Sequence, residues 1–371
     1  MTLILYIQLI IYTAVSSVLI YLMQLPLLKI KNRFLLALLF LLKVFLTLGL
    51  GLALIAFAPA IIWKHEYVFG ALYLALVASV FYDIVIFICS LIRKKELKTD
   101  VKIFLLAFLT VSFTAYNIIN MQTIVADFHQ ISSPKIKNDY RLVFFSDLHY
   151  GSSQSQKTVD AALDEIKKLK PDLLLLGGDI TDENTSKEEM EYIYQKIASL
   201  DIPVYFIYGN HDRQERSIEK YGKREYSEDE LKETLSKNHI TVLYESYEEI
   251  NDDLLILGRE DPSHPDLRKN VEDLPKLDHE RYIIVLDHTP YQNDENIKLK
   301  ADLQLSGHTH AAQFFPIQTI YKLLGLNVCG DYLIGDTHLY VSPGIAGWAL
   351  PLRSEAHCAY EVFDLVSETS S

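Results

Sequence analysis

Basic charge is scarce in this chain, and cysteine scarcer. The 371 residues carry 35 Lys and Arg against 48 Asp and Glu, a net charge of −13. The deficit is uneven: residues 1–118 hold ten basic residues and four acids, a local balance of +6, so the remainder stands at −19. A domain that acidic lacks the basic face needed to neutralise a phosphate backbone, which excludes nucleic acid as a partner. It does not exclude a phosphate substrate, because bound cations invert the local field. The three cysteines, Cys89, Cys329 and Cys358, form no Cys-x-x-Cys metal spacing. Cys329 and Cys358 share the C-terminal part and could pair in an oxidising space, a pairing that sequence does not establish. There is no internal repeat and no low-complexity segment.

Charge is also nearly missing from four stretches at the front. Residues 2–24 have none, 34–62 only Lys43, 68–92 only Asp83, and 101–120 only Lys102 at its edge. A membrane-spanning helix needs about 20 mostly apolar residues, so four transmembrane helices are expected at about these positions. Helices of a soluble core are excluded, since four such runs leave almost no polar surface to face water. No Lys or Arg precedes the first run and no small-residue cleavage pattern follows it, which excludes a cleavable signal peptide.

The loops set an orientation. The first carries Lys29, Lys31 and Arg33, and the third Arg93, Lys94, Lys95, Lys98 and Lys102, whereas the second carries only Lys64. The excess puts the first and third loops in the cytoplasm. The N-terminus and everything after the fourth helix then lie outside it, in a multi-pass protein of the cell membrane. Lys43 and Asp83 each lie nine residues in from the cytoplasmic end of their runs. Two arrangements satisfy them: an ion pair between the second and third helices, or a snorkelling Lys43 and a separately solvated Asp83.

Residues 121–137 read as a linker with room for a first strand, and 138–371 as an α/β domain. Short apolar runs at 141–146, 172–176, 203–208, 254–257, 282–286 and 301–305 have strand length. Amphipathic helices alternate with the early ones: 157–170, then helices opened by the capping boxes Ser186-x-x-Glu189 and Ser227-x-x-Glu230. Late strands are expected between 338 and 365. Residues 213–250 and 258–280 are charged excursions that could form part of a cap.

Five polar motifs follow these strands. They are Asp147-Leu148-His149, Gly178-Asp179-Ile180-Thr181-Asp182, Gly209-Asn210-His211-Asp212, His288, and Gly307-His308-Thr309-His310. Each alone is weak: Gly-Asp is often only a turn, and Asn-His-Asp could simply cap a helix. Together, at five strand ends that can converge on one cleft, they supply enough Asp, Asn and His for two divalent cations, the equipment of in-line displacement at phosphorus.

This order of motifs resembles the calcineurin-like metallophosphoesterase superfamily, over about residues 138–365. It is most similar to a membrane-attached branch whose motif reads Gly-His-Thr-His-Gly-Gly-Gln, where this chain has Ala311 and Ala312 for the two glycines. The resemblance implies a two-layered β-sandwich flanked by helices. It implies one metal held by Asp147, His149, Asp179 and His310, and a second by Asp179, Asn210, His288 and His308, with Asp179 and a water or hydroxide bridging. Two divalent ions are expected, Mn²⁺ foremost, with Fe, Zn or Co as alternatives that mixed O and N ligation also suits. It further implies that His211 protonates the leaving oxygen or holds the phosphoryl group, with Asp182 orienting it; the alternative for Asp182 is a helix-entry cap. Residue 183 is Glu, not the Arg of the phosphoprotein phosphatase form, which argues against a Ser/Thr phosphatase.

The expected activity is hydrolysis of a phosphodiester or pyrophosphate, lipid-linked if the apolar text from Phe314 to Leu326 touches the bilayer rather than packing on the sheet. Relatives of similar pattern include pyrophosphatases of UDP-diacylglucosamine, but that chemistry needs cytoplasmic access, against the loop charges. A non-catalytic metal-binding membrane sensor is a further alternative, which the intact ligand set with His211 and Asp182 argues against. A transporter is another, and two intramembrane charges make a poor solute path.

Overall fold

The computed structural model describes residues 3–24, 33–56, 66–93 and 97–368. Four helices lead: α1 (Leu3–Gln24), α2 (Arg33–Ala56), α3 (Glu66–Arg93) and α4 (Thr99–Gln122). They are apolar around most of their circumference, as suits helices in lipid. Three contain stretches long and apolar enough to cross a membrane, Phe34–Gly51, Val68–Cys89 and Thr99–Gln122; α1 contributes a shorter one, Ile11–Leu22, among the described residues. The loop residues Lys29, Lys31, Lys64, Lys94 and Lys95 lie outside the described residues.

The chain divides into two compact units. The first joins residues 1–120 with Phe314–Ile317 and Leu352–Ser354, and the second holds the rest. Inside the first, Lys43 and Asp83 pair as ammonium and carboxylate, the first of the two expected arrangements. Ser17 and Thr110 share a hydroxyl hydrogen bond of 3.0 Å. Phe314 sits edge-on to Tyr73, ring centroids 5.4 Å apart.

The second unit is built on two six-stranded sheets. Its strands are β1 (Ile124–Ser133), β2 (Tyr140–Phe145), β3 (Leu173–Leu176), β4 (Val204–Phe206), β5 (Ile240–Val242), β6 (Ser246–Ile250), β7 (Leu254–Gly258), β8 (Tyr282–Leu286), β9 (Leu303–Ser306), β10 (Gly330–Ile334), β11 (Thr337–Val341) and β12 (Cys358–Ser367). One sheet runs β1-β12-β2-β3-β4-β5 and the other β10-β11-β9-β8-β7-β6. Leu142, Phe144 and Leu175 of the first sheet meet Ile256, Ile284 and Leu305 of the second in a core between the layers. Each such side chain contributes about 1.5–3 kcal/mol on burial.

Helices cover the outer face of the first sheet: α5 (Gln156–Leu169), α6 (Lys187–Ala198) and α8 (Glu228–Lys237), after a short α7 (Glu215–Tyr221). Both expected capping boxes form, at Ser186 with Glu189 and Ser227 with Glu230. Two further short helices, α9 (Asn293–Leu299) and α10 (Ile317–Leu323), follow β8 and β9.

The mixed α/β architecture is the expected one. Two alternatives that the sequence leaves open are decided. The stretch 121–137 is mostly strand, with β1 running parallel to β12 from Ile124 opposite Cys358 to Ser133 opposite Ser367. No disulfide joins Cys329 to Cys358; Cys358 is buried, its Sγ 3.9 Å from the sulfur of Met121.

Candidate metal centre

Strands β2, β3 and β4 are mutually parallel, as are β7, β8 and β9. Parallel strands release their chains at the same edge, so the polar motifs that follow them gather there. Two glycines permit the close approach. Gly178 has φ +87°, and a Cβ on Gly209 would stand 2.2 Å from Asp179 Oδ1. Asp212 locks the two loops together. Its carboxylate accepts backbone N–H groups from Gly209 at 2.7 Å, Asp179 at 2.8 Å, Ile180 at 2.9 Å and Thr181 at 3.1 Å.

All seven expected ligands meet in this buried cluster. Asp147, His149 and His310 form one group and Asp179, His288 and His308 another, the ligand atoms of each lying within 4.8 Å of one another. His149 Nε2 is 3.2 Å from His310 Nε2, which in turn is 3.4 Å from Asp147 Oδ1. Asn210 joins the second group, its Oδ1 2.9 Å from His308 Nδ1. Asp179 faces both, with Oδ2 3.0 Å from His288 Nε2 and 3.8 Å from His149 Nε2. Asp147 is held by the His308 N–H, 3.0 Å from each of its oxygens.

The electrostatics are those of a cation site. Burial opposes charge on His149, but Asp182, Asp179 and Asp147 outweigh it and hold its pKa up at about 9. His288 is likewise raised well above the ordinary value, against its burial, by Asp179 and Asp147. Against burial too, the neighbouring histidines hold Asp179 well below the usual carboxylate range. Burial and the charge on His288 push His308 down to about 4. The carboxylates therefore want positive charge beside them.

A divalent ion fits here. His288 Nδ1 donates to the Gly177 carbonyl at 2.8 Å, which fixes the tautomer and turns Nε2 into the cluster. That Nε2 is buried and faces Asp179 Oδ2 at 3.0 Å, where a cation would take the place of its proton. Carboxylate, imidazole and amide donors with no thiolate suit Mn, Fe, Zn or Co.

His211 lies beside the cluster, its ring 5.3 Å from that of His149 and 6.4 Å from Trp348. Its partner differs from the expected one. His211 Nδ1 is 2.8 Å from both oxygens of Glu183. Asp182 instead accepts from the Ser152 hydroxyl at 2.5 Å and the Asn184 N–H at 2.8 Å, with Oδ2 3.5 Å from His149 Nδ1. The physical reason is the tight turn 182–185, which Asp182 closes with its own carboxylate. Sequence reasoning gave Glu183 no role, and none to Gln313 or Trp348 either. Gln313 brackets the Trp348 backbone, accepting its N–H at 2.8 Å and donating to its carbonyl at 3.1 Å. The signal available was the Gln closing the last motif.

Residues 140–312 match the family profile for calcineurin-like phosphoesterase. A transmembrane protein with metallophosphoesterase domain from Danio rerio is 28% identical over 237 residues, 59% of this chain and 52% of that protein. A Helicobacter pylori protein described only as an uncharacterized metallophosphoesterase is 28% identical over 228 residues, 59% of this chain and 58% of its own length. The chain thus spans little more than half the length of these curated relatives. Among solved structures, a dimetal phosphatase from Danio rerio aligns with TM-score 0.35 and 9% identity over 54% of this chain and 86% of that one.

Proposed function

We propose, from the calcineurin-like metallophosphoesterase domain that this chain carries in residues 140–312, that the protein is a membrane-anchored phosphoester hydrolase using two divalent metal ions. The observation that carries this is the pair of buried ligand groups meeting at Asp179. Asp147, His149, Asp179 and His310 would hold one ion, and Asp179, Asn210, His288 and His308 the other. Such a pair supplies Lewis acidity at the phosphoryl oxygen and makes water nucleophilic near neutral pH. One P–O bond forms to the water oxygen, and the bond to the leaving group breaks. His211 stands beside the cluster, with Nδ1 occupied and Nε2 left to pass a proton to the departing oxygen.

A phosphodiester or pyrophosphate at a lipid headgroup is the favoured substrate class. Leu323, Leu324 and Leu326 are exposed, a run that soluble surfaces seldom show. The Thr309 hydroxyl, between His308 and His310, is hydrogen-bonded to the carbonyl of Val328, so this apolar rim adjoins the ligand loop. Mn²⁺ is the proposed metal. The loop charges favour a domain outside the cytoplasm.

The test is hydrolysis of bis-p-nitrophenyl phosphate and p-nitrophenyl phosphate by the full chain in detergent, with Mn²⁺ and with chelator, beside Asp179→Asn. Metal-dependent turnover is expected, higher on the diester, and at least 100-fold lower in the variant. A folded, metal-loaded protein with no turnover on either ester would overturn the hydrolase reading.

A further inference from the structure

We infer that Glu183 is the positioning residue for His211, and that Asp182 is instead held by its own turn with its carboxylate 3.5 Å from the ring of His149. This rests on the hydrolase reading above.

Glu183 presents both oxygens to His211 Nδ1 at 2.8 Å, and the two side chains are only 5% and 8% exposed. No Lys or Arg pairs with Glu183 among the described residues, so the carboxylate is committed to the imidazole. A buried carboxylate is costly unless it is partnered. A carboxylate on Nδ1 fixes the hydrogen there, keeps Nε2 facing away, and stabilises the imidazolium that forms when Nε2 takes a proton.

The backbone makes this arrangement and blocks the other. Asp182 is spent on its turn: it accepts from Asn184 N–H and the Ser152 hydroxyl, and its own N–H donates to Thr185 Oγ1 at 2.9 Å. Gln214, three residues beyond His211, donates through Nε2 to the carbonyls of Asp182 and Thr185, each at 2.8 Å. The His211 loop thus grips the turn on both sides of Glu183. Glutamate, one methylene longer, reaches Nδ1 from a position where the backbone is already held.

The two acids therefore have separable consequences, since Asp182 lies beside a proposed metal ligand and Glu183 is bonded to a proposed proton donor. The experiment uses the full chain in detergent with Mn²⁺, comparing Glu183→Gln, Glu183→Asp, Asp182→Asn, His211→Asn and the double variant Glu183→Gln/His211→Asn. Each is assayed on bis-p-nitrophenyl phosphate, whose leaving group departs unaided, and on diphenyl phosphate, whose leaving group needs a proton. Bound Mn²⁺ per chain is measured by mass spectrometry.

Glu183→Gln is expected to lower kcat on diphenyl phosphate at least tenfold. The loss on the nitrophenyl ester should be clearly smaller, with KM and bound Mn²⁺ unchanged. Glu183→Asp should fall between Gln and wild type, and Glu183→Gln should add nothing in the His211→Asn background. Asp182→Asn should lose bound Mn²⁺ and hit both esters alike. The inference is overturned if Asp182→Asn keeps its metal and shows the His211→Asn pattern while Glu183→Gln does not.

A second readout separates this from failure of the hydrolase reading. In ¹⁵N-histidine-labelled protein, the His211 Nδ1–H proton resonance should shift markedly upfield in Glu183→Gln and stay in place in Asp182→Asn. If the wild type turns over neither ester, the hydrolase reading fails, and this resonance alone decides the pairing. An unmoved resonance in Glu183→Gln overturns it.

Discussion

His149 and His288 bind protons tightly because carboxylates face them where water does not reach. For His149 the folded value of about 9 lies above the ordinary 6.5. A group raised in this way stabilises the fold fully below its unfolded pKa, and the contribution is lost as pH rises through the folded one. Protein stripped with chelator should therefore lose thermal stability between about pH 6.5 and 9. His288 shifts in the same direction, and His308, held down at about 4, carries no proton in that window. A metal must displace the protons on His149 and His288, so Mn²⁺ affinity should rise over the same window, by up to about tenfold per pH unit for each proton released. Competition against a chelator at pH 6.5, 7.5 and 8.5 measures it, and a flat profile would show that His149 is not protonated. At this scale the sequence was informative about ligands and poor about their supports. Asp147, Asp179 and His308 could be placed because each follows an apolar strand. Which acid reaches His211 depended on the turn at 182–185, a matter of backbone hydrogen bonds that spacing does not reveal. Ala311 and Ala312, standing where the related motif has glycines, adopt φ of +49° and +58°, so the left-handed backbone persists here without glycine.

Between elements, the site loops are tied by charge as well as by Asp212. Arg213, one residue after Asp212, forms two 2.7 Å hydrogen bonds to Glu260, just beyond β7 of the other sheet. Its guanidinium also lies 3.8 Å from the centre of the Tyr208 ring. Both partners are almost fully buried. Removing Glu260 leaves the buried guanidinium with only the partly exposed Glu228, 3.3 Å from its Nε, at a cost approaching that of a broken buried pair, about 3–5 kcal/mol. Glu260→Gln should therefore lower stability by several kcal/mol in urea unfolding of the purified protein. Ser186→Ala, which loses only the α6 cap, should cost about 1 kcal/mol. Equal small effects would mean that the Arg213–Glu260 pair does not hold the two sheets' loops in place. The core strands and capped helices were legible because their periods and turn residues are local. Strand β1 was not. Its sequence mixes Asp127, His129 and Gln130 with apolar residues, and its partner is the distant β12. The pairing is completed by His129 Nε2, 2.9 Å from the buried Glu361, which also accepts from the Tyr340 hydroxyl at 2.9 Å. Contacts of that range leave no periodic mark on either segment.

On the scale of the whole chain, charge separates two environments: the +6 front with its apolar helices, and the −19 remainder with a cation-seeking site. The orientation rests on the basic residues of the first and third loops, Lys29 to Arg33 and Arg93 to Lys102, against Lys64 alone in the second. On the proposed orientation four crossings would carry the C-terminal domain out of the cytoplasm, which would decide what substrates it meets. On that orientation a lipid-linked diester on the outer leaflet would be reachable, and a nucleotide-activated precursor made in the cytoplasm would not. The side follows from whether the number of crossings before the domain is even or odd. Hence α1, whose described apolar stretch is the shortest of the four, matters as much as the charges. If α1 spans, the N-terminus and the domain share a side; if it does not, they are on opposite sides. The check is impermeant maleimide labelling of intact cells, in a background with Cys89, Cys329 and Cys358 replaced by Ser. Asp252→Cys, in the exposed turn between β6 and β7, should label without permeabilisation, and Lys31→Cys only after it. A Thr2→Cys variant should follow Asp252→Cys if α1 crosses. Labelling of Lys31→Cys but not Asp252→Cys in intact cells would put the domain in the cytoplasm and reopen the nucleotide-linked lipid substrates.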